Sequence, residues 1–134
     1  MAVLSSWDKA LLLTRSALEK KAYGLVVMEV RELTSIADYF IICSGRSDRQ
    51  VQSIARGVEE NLQRAGIPPL SVEGANRGHW VLMDCSDVIV HIFYEPVRGF
   101  YDLDGLWGHA PRVELPEPYS TLVGQFQSAS DHFS

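Results

Sequence analysis

The sequence predicts an α/β (α+β) protein in which a mixed β-sheet of about five strands is flanked by helices. Apolar residues recur at helical spacing from Val51 to Ala65, which predicts a long amphipathic helix. Residues 39–43 and 88–93 are short runs rich in β-branched and aromatic residues, typical of strands that are covered on both faces. Because helical and strand patterns alternate along the chain, we expect the helices to pack on one sheet.

Length and composition limit the class of protein. A chain of 134 residues with 46% hydrophobic residues is sufficient for one domain with one buried core. The sequence has no apolar run long enough to span a bilayer and no N-terminal signal-peptide pattern. We therefore expect a cytoplasmic protein that makes no membrane contact.

The chain begins with a predicted helix followed by two strands. One helical face carries the set Trp7, Ala10, Leu11, Thr14, Ala17 and Leu18. We expect this helix to be capped by Ser5 or Ser6 and to end near Tyr23-Gly24. Leu25–Val30 and Tyr39–Cys43 follow as strands, and the second is apolar on both faces, which predicts an internal position in the sheet.

A second helix, a short strand and a hairpin come next. Ser47-Asp-Arg-Gln50 matches a capping box, and Gly66 with the prolines after it predicts the end of that helix. Leu70–Glu73 is a short predicted strand before a loop. His79–Asp84 and Val88–Phe93 then predict an antiparallel pair around a turn at residues 85–87, with Val88–Phe93 as a central strand.

The histidines and cysteines do not predict a metal site. Cys43 and Cys85 lack CxxC spacing and a nearby histidine, so we interpret them as reduced thiols. The four histidines are scattered along the sequence. His91 lies within a strand, and we interpret it as a histidine that is hydrogen-bonded inside the sheet.

The stretch from Tyr94 to Trp107 combines aromatic residues with arginine and acids. Its larger side chains are Tyr94, Arg98, Phe100, Tyr101, Leu103, Leu106 and Trp107. This composition is typical of a contact surface, and an amphipathic helix whose aromatics cover the sheet is the equal alternative. For Trp80 the same choice stays open between core packing against the first helix and a partner contact.

Acidic residues are concentrated in the second half of the chain. Residues 1–68 carry nine Lys and Arg against eight Asp and Glu, a net charge of +1, whereas residues 69–134 carry three against nine, a net charge of −6. Acids beside the aromatic stretch disfavour contact with nucleic-acid phosphates and favour a basic protein partner. Solvated acids that keep a small protein soluble are the alternative.

Several motifs in series resemble the ribosomal silencing factor family, also called Iojap-like proteins. The segments are Trp80-Val-Leu-Met-Asp84, Asp87-Val-Ile-Val-His-Ile-Phe93, Arg98-Gly-Phe-Tyr-Asp-Leu-Asp-Gly-Leu-Trp107 and, upstream, Ser35-Ile-Ala-Asp-Tyr-Phe-Ile-Ile-Cys-Ser-Gly45, Ser47, Arg49-Gln-Val51 and Glu73-Gly74. The resemblance extends from about Trp7 to Arg112, nearly the whole chain. It implies a nucleotidyltransferase-like fold in residues 1–113, and we expect residues 114–134 to form a weakly ordered tail in which Leu122, Val123 and Phe126 supply at most one docked helical turn.

The resemblance also implies a function that needs recognition and no catalysis. The protein would bind the large ribosomal subunit through its fourteenth ribosomal protein, block joining of the small subunit and lower translation when nutrients are limiting. It implies neither a cofactor nor a metal. The partner-binding residues expected from the family's motifs are Trp80, Asp84, Tyr94, Arg98, Tyr101, Asp102, Asp104, Leu106 and Trp107.

Two alternatives remain at this stage. A nucleotidyltransferase-fold enzyme needs paired carboxylates at i, i+2 on a strand, because both must hold metal ions against a triphosphate. Asp102 and Asp104 have this spacing but follow the predicted strands, so we expect no enzyme activity. A homodimer formed by the free protein through a sheet edge or the aromatic stretch is compatible with the silencing function.

Overall fold

A computed structural model describes residues 4–125, which form one five-stranded sheet with helices packed on it. The strands are β1 (Tyr23–Glu29), β2 (Tyr39–Gly45), β3 (Ser71–Glu73), β4 (Trp80–Asp84) and β5 (Val88–Tyr94). The helices are α1 (Ser6–Glu19), α2 (Asp48–Arg64), α3 (Glu95–Tyr101), α4 (Leu103–Leu106) and α5 (Tyr119–Gln125). The predicted fold class, a mixed sheet of five strands flanked by helices, is confirmed.

The strands are ordered β1-β2-β5-β4-β3 in the sheet. The β2–β5 pair is parallel and every other neighbouring pair is antiparallel. Parallel neighbours need a long crossover, and α2 with β3 and β4 supplies it. The central position predicted for Val88–Phe93 and the internal position predicted for Tyr39–Cys43 are both confirmed, since β5 is the third strand and β2 the second.

The first helix ends earlier than its sequence pattern predicts. We expected its end near Tyr23-Gly24, but α1 ends at Glu19 and Tyr23 already begins β1. Lys21 adopts a left-handed backbone conformation with φ 63°, and the amide of Ala22 donates to the carbonyl of Ala17. A left-handed residue after a helix is usually glycine. Because lysine occupies this position here, the sequence pattern did not indicate the end of α1.

The second helix starts at the predicted cap, Ser47, and the reciprocal bond of Gln50 is shifted by one residue. The amide of Gln50 donates to Ser47 Oγ over 3.1 Å, and Gln50 Oε1 accepts from the amide of Arg46 over 2.6 Å. The helix ends at Arg64, followed by Gly66 with φ +77°. Side-chain capping at the start and a left-handed glycine after the end therefore determine the limits of α2.

The sheet separates two hydrophobic clusters. The larger cluster lies where α1 and α2 cover one face, and it includes Ile41, Val81 and Ile92. The smaller cluster lies on the opposite face under α3 and α4. We call the opposite face the aromatic face, defined by Phe40, Trp80, His91, Phe93 and Trp107.

The last described segment contains a helix that packs on the helix-covered side of the sheet. Residues 119–125 form α5, and the half-buried side chains of Leu122 and Val123 pack against the larger cluster. Before it, the amide of Val113 donates to the carbonyl of Val27, so this segment also pairs with the outer edge of β1. Phe126, which we expected in the same helical turn, lies with residues 126–134 outside the described residues.

Both thiols are buried, and no membrane helix is found in the described part of the chain. Cys43 and Cys85 are free, and burial raises the pKa of each thiol to about 12, so both are neutral at physiological pH. Within residues 4–125 every helix falls short of the length and apolar character needed to cross a bilayer.

Candidate functional site: the aromatic face

The α3–α4 segment crosses part of the aromatic face because two residues direct the backbone there. Pro96 lies in the first turn of α3, immediately after β5, where its fixed φ suits a helix start. Asp102 has φ 48° and ends α3, and its carboxylate accepts from the amide of Gly105 to cap α4. The aromatic stretch is therefore two short helices joined by a left-handed aspartate.

Arg98 fastens this segment to the sheet. Its Nε and Nη2 donate to the two carboxylate oxygens of Asp104 over 3.1 and 2.9 Å. Its Nη1 donates to the carbonyl of Gly24 over 2.8 Å and to Ser44 Oγ over 2.9 Å. Hydrogen bonding by Arg98 holds the pKa of Asp104 below its ordinary value. One guanidinium thus connects α3, α4, β1 and β2 through four hydrogen bonds.

Trp80 lies half-buried at the margin of the covered part of the face. Its ring stacks on Phe93 with centroids 4.9 Å apart and meets Tyr101 at the same distance. Because side chains alternate along a strand, Leu82 and Asp84 lie on the same face as Trp80, and both are half-buried. The part of β4 that α3 and α4 leave uncovered therefore presents an aromatic, an aliphatic and an acidic side chain in a row.

Two concave regions adjoin Trp80. One has a volume of about 430 Å³ and is lined by Gly74, Arg77, His79, Trp80, Pro96, Val97, Phe100 and Tyr101. The other has a volume of about 300 Å³ and is lined by Glu73, Gly74, Trp80 and Leu82. A side chain added at Gly74 would lie 2.0 Å from the carbonyl oxygen of Trp80, so glycine is required for the loop to pass there. The indole of Trp80 thus borders both concave regions.

His91 lies beneath Trp80 in the central strand. The indole Nε1–H donates to His91 Nδ1 over 3.2 Å, and the histidine is only 5% exposed. Because an indole nitrogen only donates, Nδ1 carries no proton, and the proton of the neutral ring is on Nε2. Burial lowers the pKa of His91 to about 4. The expectation of a histidine hydrogen-bonded inside the sheet is confirmed.

This lowered pKa makes stability depend on pH. In the unfolded chain His91 is protonated below its ordinary pKa of 6.5, whereas in the folded chain it stays neutral down to about pH 4. The free energy of unfolding therefore falls as the pH decreases across this interval. Between pH 7 and pH 5 we expect His91 to lower the free energy of unfolding by about 2 kcal/mol. Urea unfolding of wild type and His91→Leu at several pH values checks this. Equal slopes of stability against pH in the two proteins would contradict it.

The structure places the sequence-predicted residues in three groups. Tyr101 is 49% exposed, Leu106 is 75% exposed and Asp102 is exposed. Trp80, Asp84 and Trp107 are half-buried, and Trp107 packs edge-on against Phe40 with centroids 4.8 Å apart. Tyr94, Arg98 and Asp104 serve contacts within the chain, because Tyr94 packs against the cluster on the helix-covered side and the other two form the ion pair described above.

The aromatic stretch divides into residues that cover the sheet and residues that stay exposed. Trp107 and the buried Leu103 cover the sheet, whereas Phe100 is 82% exposed. The interpretation of Trp80 as a core residue packed against the first helix is wrong, because α1 covers the other face. Sequence reasoning named Phe100 within the aromatic stretch but left it, like Leu82, out of the expected partner-binding residues. The signal that would have found Leu82 is its two-residue spacing from Trp80 and Asp84 along one strand.

The carboxylates of the β4–β5 turn and of the Asp102–Asp104 pair each bind donors of this chain. Asp84 accepts from the amide of Ser86, and Asp87 forms an ion pair with Lys9 over 2.7 Å. Asp102 caps α4 and Asp104 binds Arg98, so their i, i+2 spacing does not lie on a strand. Across residues 4–125, histidine, cysteine, aspartate and glutamate form no group of three that is suited to a metal ion.

Comparison with known proteins agrees with the motifs. The family described as "Ribosomal silencing factor during starvation" matches residues 4–133. The ribosomal silencing factor RsfS of Bacillus subtilis is 40% identical over 97 residues, which cover 72% of this chain and 82% of the relative. The RsfS of Halalkalibacterium halodurans is 43% identical over 97 residues, with 72% and 83% covered.

A solved structure shares the fold. The crystal structure of a Chromobacterium violaceum protein superposes with a TM-score of 0.77 at 31% sequence identity, and the match covers 85% of this chain and 92% of that one. The family match continues beyond Arg112, where the sequence resemblance ended, and includes α5. The resemblance inferred from the motifs is thereby confirmed.

Proposed function

This chain belongs to the ribosomal silencing factor family, and on that premise we propose that it binds the large ribosomal subunit through the fourteenth protein of that subunit. Bound there, it blocks joining of the small subunit by occupying the surface that the small subunit needs. It thereby lowers translation in the cytoplasm when nutrients are limiting. The activity is recognition and steric exclusion, with no chemical step.

The partly open aromatic face is the observation that supports this function. Half-exposed Trp80 lines two concave regions, and exposed Tyr101 and Phe100 line one of them. Aromatic side chains at the centre of a contact, with room for partner side chains around them, supply most of the energy of typical protein interfaces.

The charges around this face favour a basic protein partner. Exposed Glu73 and half-buried Asp84 lie on the same face as Leu82, and exposed Asp102 precedes α4. The net charge of −6 in residues 69–134 has the sign that attracts an Arg- and Lys-rich ribosomal protein. We expect these acids to increase the association rate at low salt more than they increase the final affinity.

Sucrose-gradient sedimentation of purified ribosomal subunits tests the proposal. Large and small subunits are mixed with the protein at a magnesium concentration that promotes joining. We expect the protein to migrate with the large subunit and to reduce the amount of joined ribosomes. Direct titration of the isolated fourteenth large-subunit protein identifies the contact. If the protein stays at the top of the gradient and the subunits join normally, the proposed function is wrong.

A further inference from the structure

The centre of β5 contains a buried polar group that packing does not require. His91 lies on the aromatic face between Ile89 and Phe93, which are its nearest neighbours on that face of the strand. Its Nε2–H is buried and has no acceptor within hydrogen-bonding distance among residues 4–125. A buried donor without a partner destabilises the fold, so an apolar side chain would suit this position better if packing were its only role.

What the imidazole provides and an apolar side chain lacks is an acceptor for Trp80. The indole Nε1–H donates to Nδ1 over 3.2 Å, with the ring centroids 6.0 Å apart and the ring planes at 42°. The bond holds the indole by its N–H edge, while Phe93 of β5 and Tyr101 of α3 contact the ring. A half-buried tryptophan is thus restrained by one directional bond in addition to non-directional packing.

We propose that His91 is a positioning residue whose Nδ1 holds the Trp80 indole in the orientation that binds the partner. This inference rests on the proposed function, because it assumes that the aromatic face is the contact surface. A side chain already held in its bound orientation loses less conformational freedom on binding, so affinity increases without any contact between His91 and the partner. Burying Nε2–H without an acceptor lowers the free energy of unfolding, and this loss is the cost of the restraint on Trp80.

Two substitutions at this position separate positioning from packing. His91→Leu is apolar and removes the acceptor. His91→Asn places an amide oxygen at a reach similar to that of Nδ1 and restores the acceptor. The indole N–H resonance of Trp80, identified by its absence in Trp80→Phe, reports the hydrogen bond by its chemical shift and its exchange rate with water. Gradient sedimentation with the large subunit reports binding.

We expect His91→Leu to remain folded, with a Trp80 N–H that shifts upfield and exchanges with water faster than in wild type. Its affinity for the large subunit should fall roughly tenfold, the effect of losing one hydrogen bond that orients the anchor. His91→Asn should recover part of both the N–H signature and the affinity. Recovery by the variant that restores the acceptor distinguishes positioning from a general effect on the core.

Specific outcomes overturn the inference. If folded His91→Leu keeps the wild-type indole signal or the wild-type affinity, His91 does not position Trp80. The same conclusion follows if affinity falls only in proportion to the unfolded fraction and His91→Asn recovers nothing. A wild type that fails to migrate with the large subunit overturns the proposed function as well, whereas a wild type that migrates beside an equally competent His91→Leu overturns only the role of His91.

Discussion

Replacing Trp80 with alanine is expected to reduce affinity for the large ribosomal subunit by about 100-fold or more. Trp80 contacts Phe93, Tyr101 and His91 and forms a wall of both concave regions, so its removal leaves a gap at the centre of the proposed contact. Because the side chain is half-buried, we expect the free energy of unfolding to decrease by only about 2 kcal/mol. Sedimentation with the large subunit measures the first effect and urea unfolding measures the second.

Trp7→Ala is the matched control for this prediction. Trp7 is also half-buried, but it lies on α1 and its ring contacts Tyr39, 5.8 Å away, on the helix-covered side of the sheet. The Trp7→Ala protein should lose about as much stability as Trp80→Ala and keep the wild-type affinity for the large subunit. Leu106→Ser, at a 75% exposed position, is expected to weaken binding with little loss of stability. Equal binding by wild type and a folded Trp80→Ala protein would remove the aromatic face as the contact site.

Replacing Arg98 with methionine is expected to lower the free energy of unfolding by about 3 kcal/mol and to weaken subunit binding as well. The change leaves the Asp104 carboxylate without its partner and removes hydrogen bonds to Gly24 and Ser44. Once α3 and α4 are no longer fastened to the sheet, Tyr101 should lose its fixed contact with Trp80. Urea unfolding at pH 7 and gradient sedimentation of the folded fraction measure the two effects.

A second substitution identifies the cause of this loss. Removing both charges in Arg98→Met/Asp104→Leu should recover part of the stability, because no unpaired carboxylate then remains near the sheet. The partial recovery should be greatest at neutral pH. Since the pKa of Asp104 is lowered in the folded protein, the contribution of the pair is present above the ordinary carboxyl pKa and disappears as the pH falls through the lowered one. If Arg98→Met unfolds at the same urea concentration as wild type, the fastening role is wrong.

The candidate site was partly predictable from the sequence, and the reason differs between residues. The motif from Trp80 to Asp84 identified the strand, and its two-residue alternation placed Trp80 and Asp84 on one face. Leu82 was missed because a leucine in a strand normally packs in a core, and its exposure depends on how far α3 and α4 reach across the sheet. Tyr94 was assigned to the site as the first residue of the aromatic stretch, although its position on β5 places it on the helix-covered side.

The sequence by itself determined the features that depend on neighbouring residues. The capping box of α2, the hairpin turn and the apolar runs of the two buried strands follow from local hydrogen bonding and from the periodicity of apolar residues. The motifs also determined the family. Only the tertiary structure decided which aromatic residues stay exposed and what Arg98 binds. The carbonyl that Arg98 reaches belongs to Gly24, 74 residues earlier, so this contact exists only after the sheet has brought distant segments together.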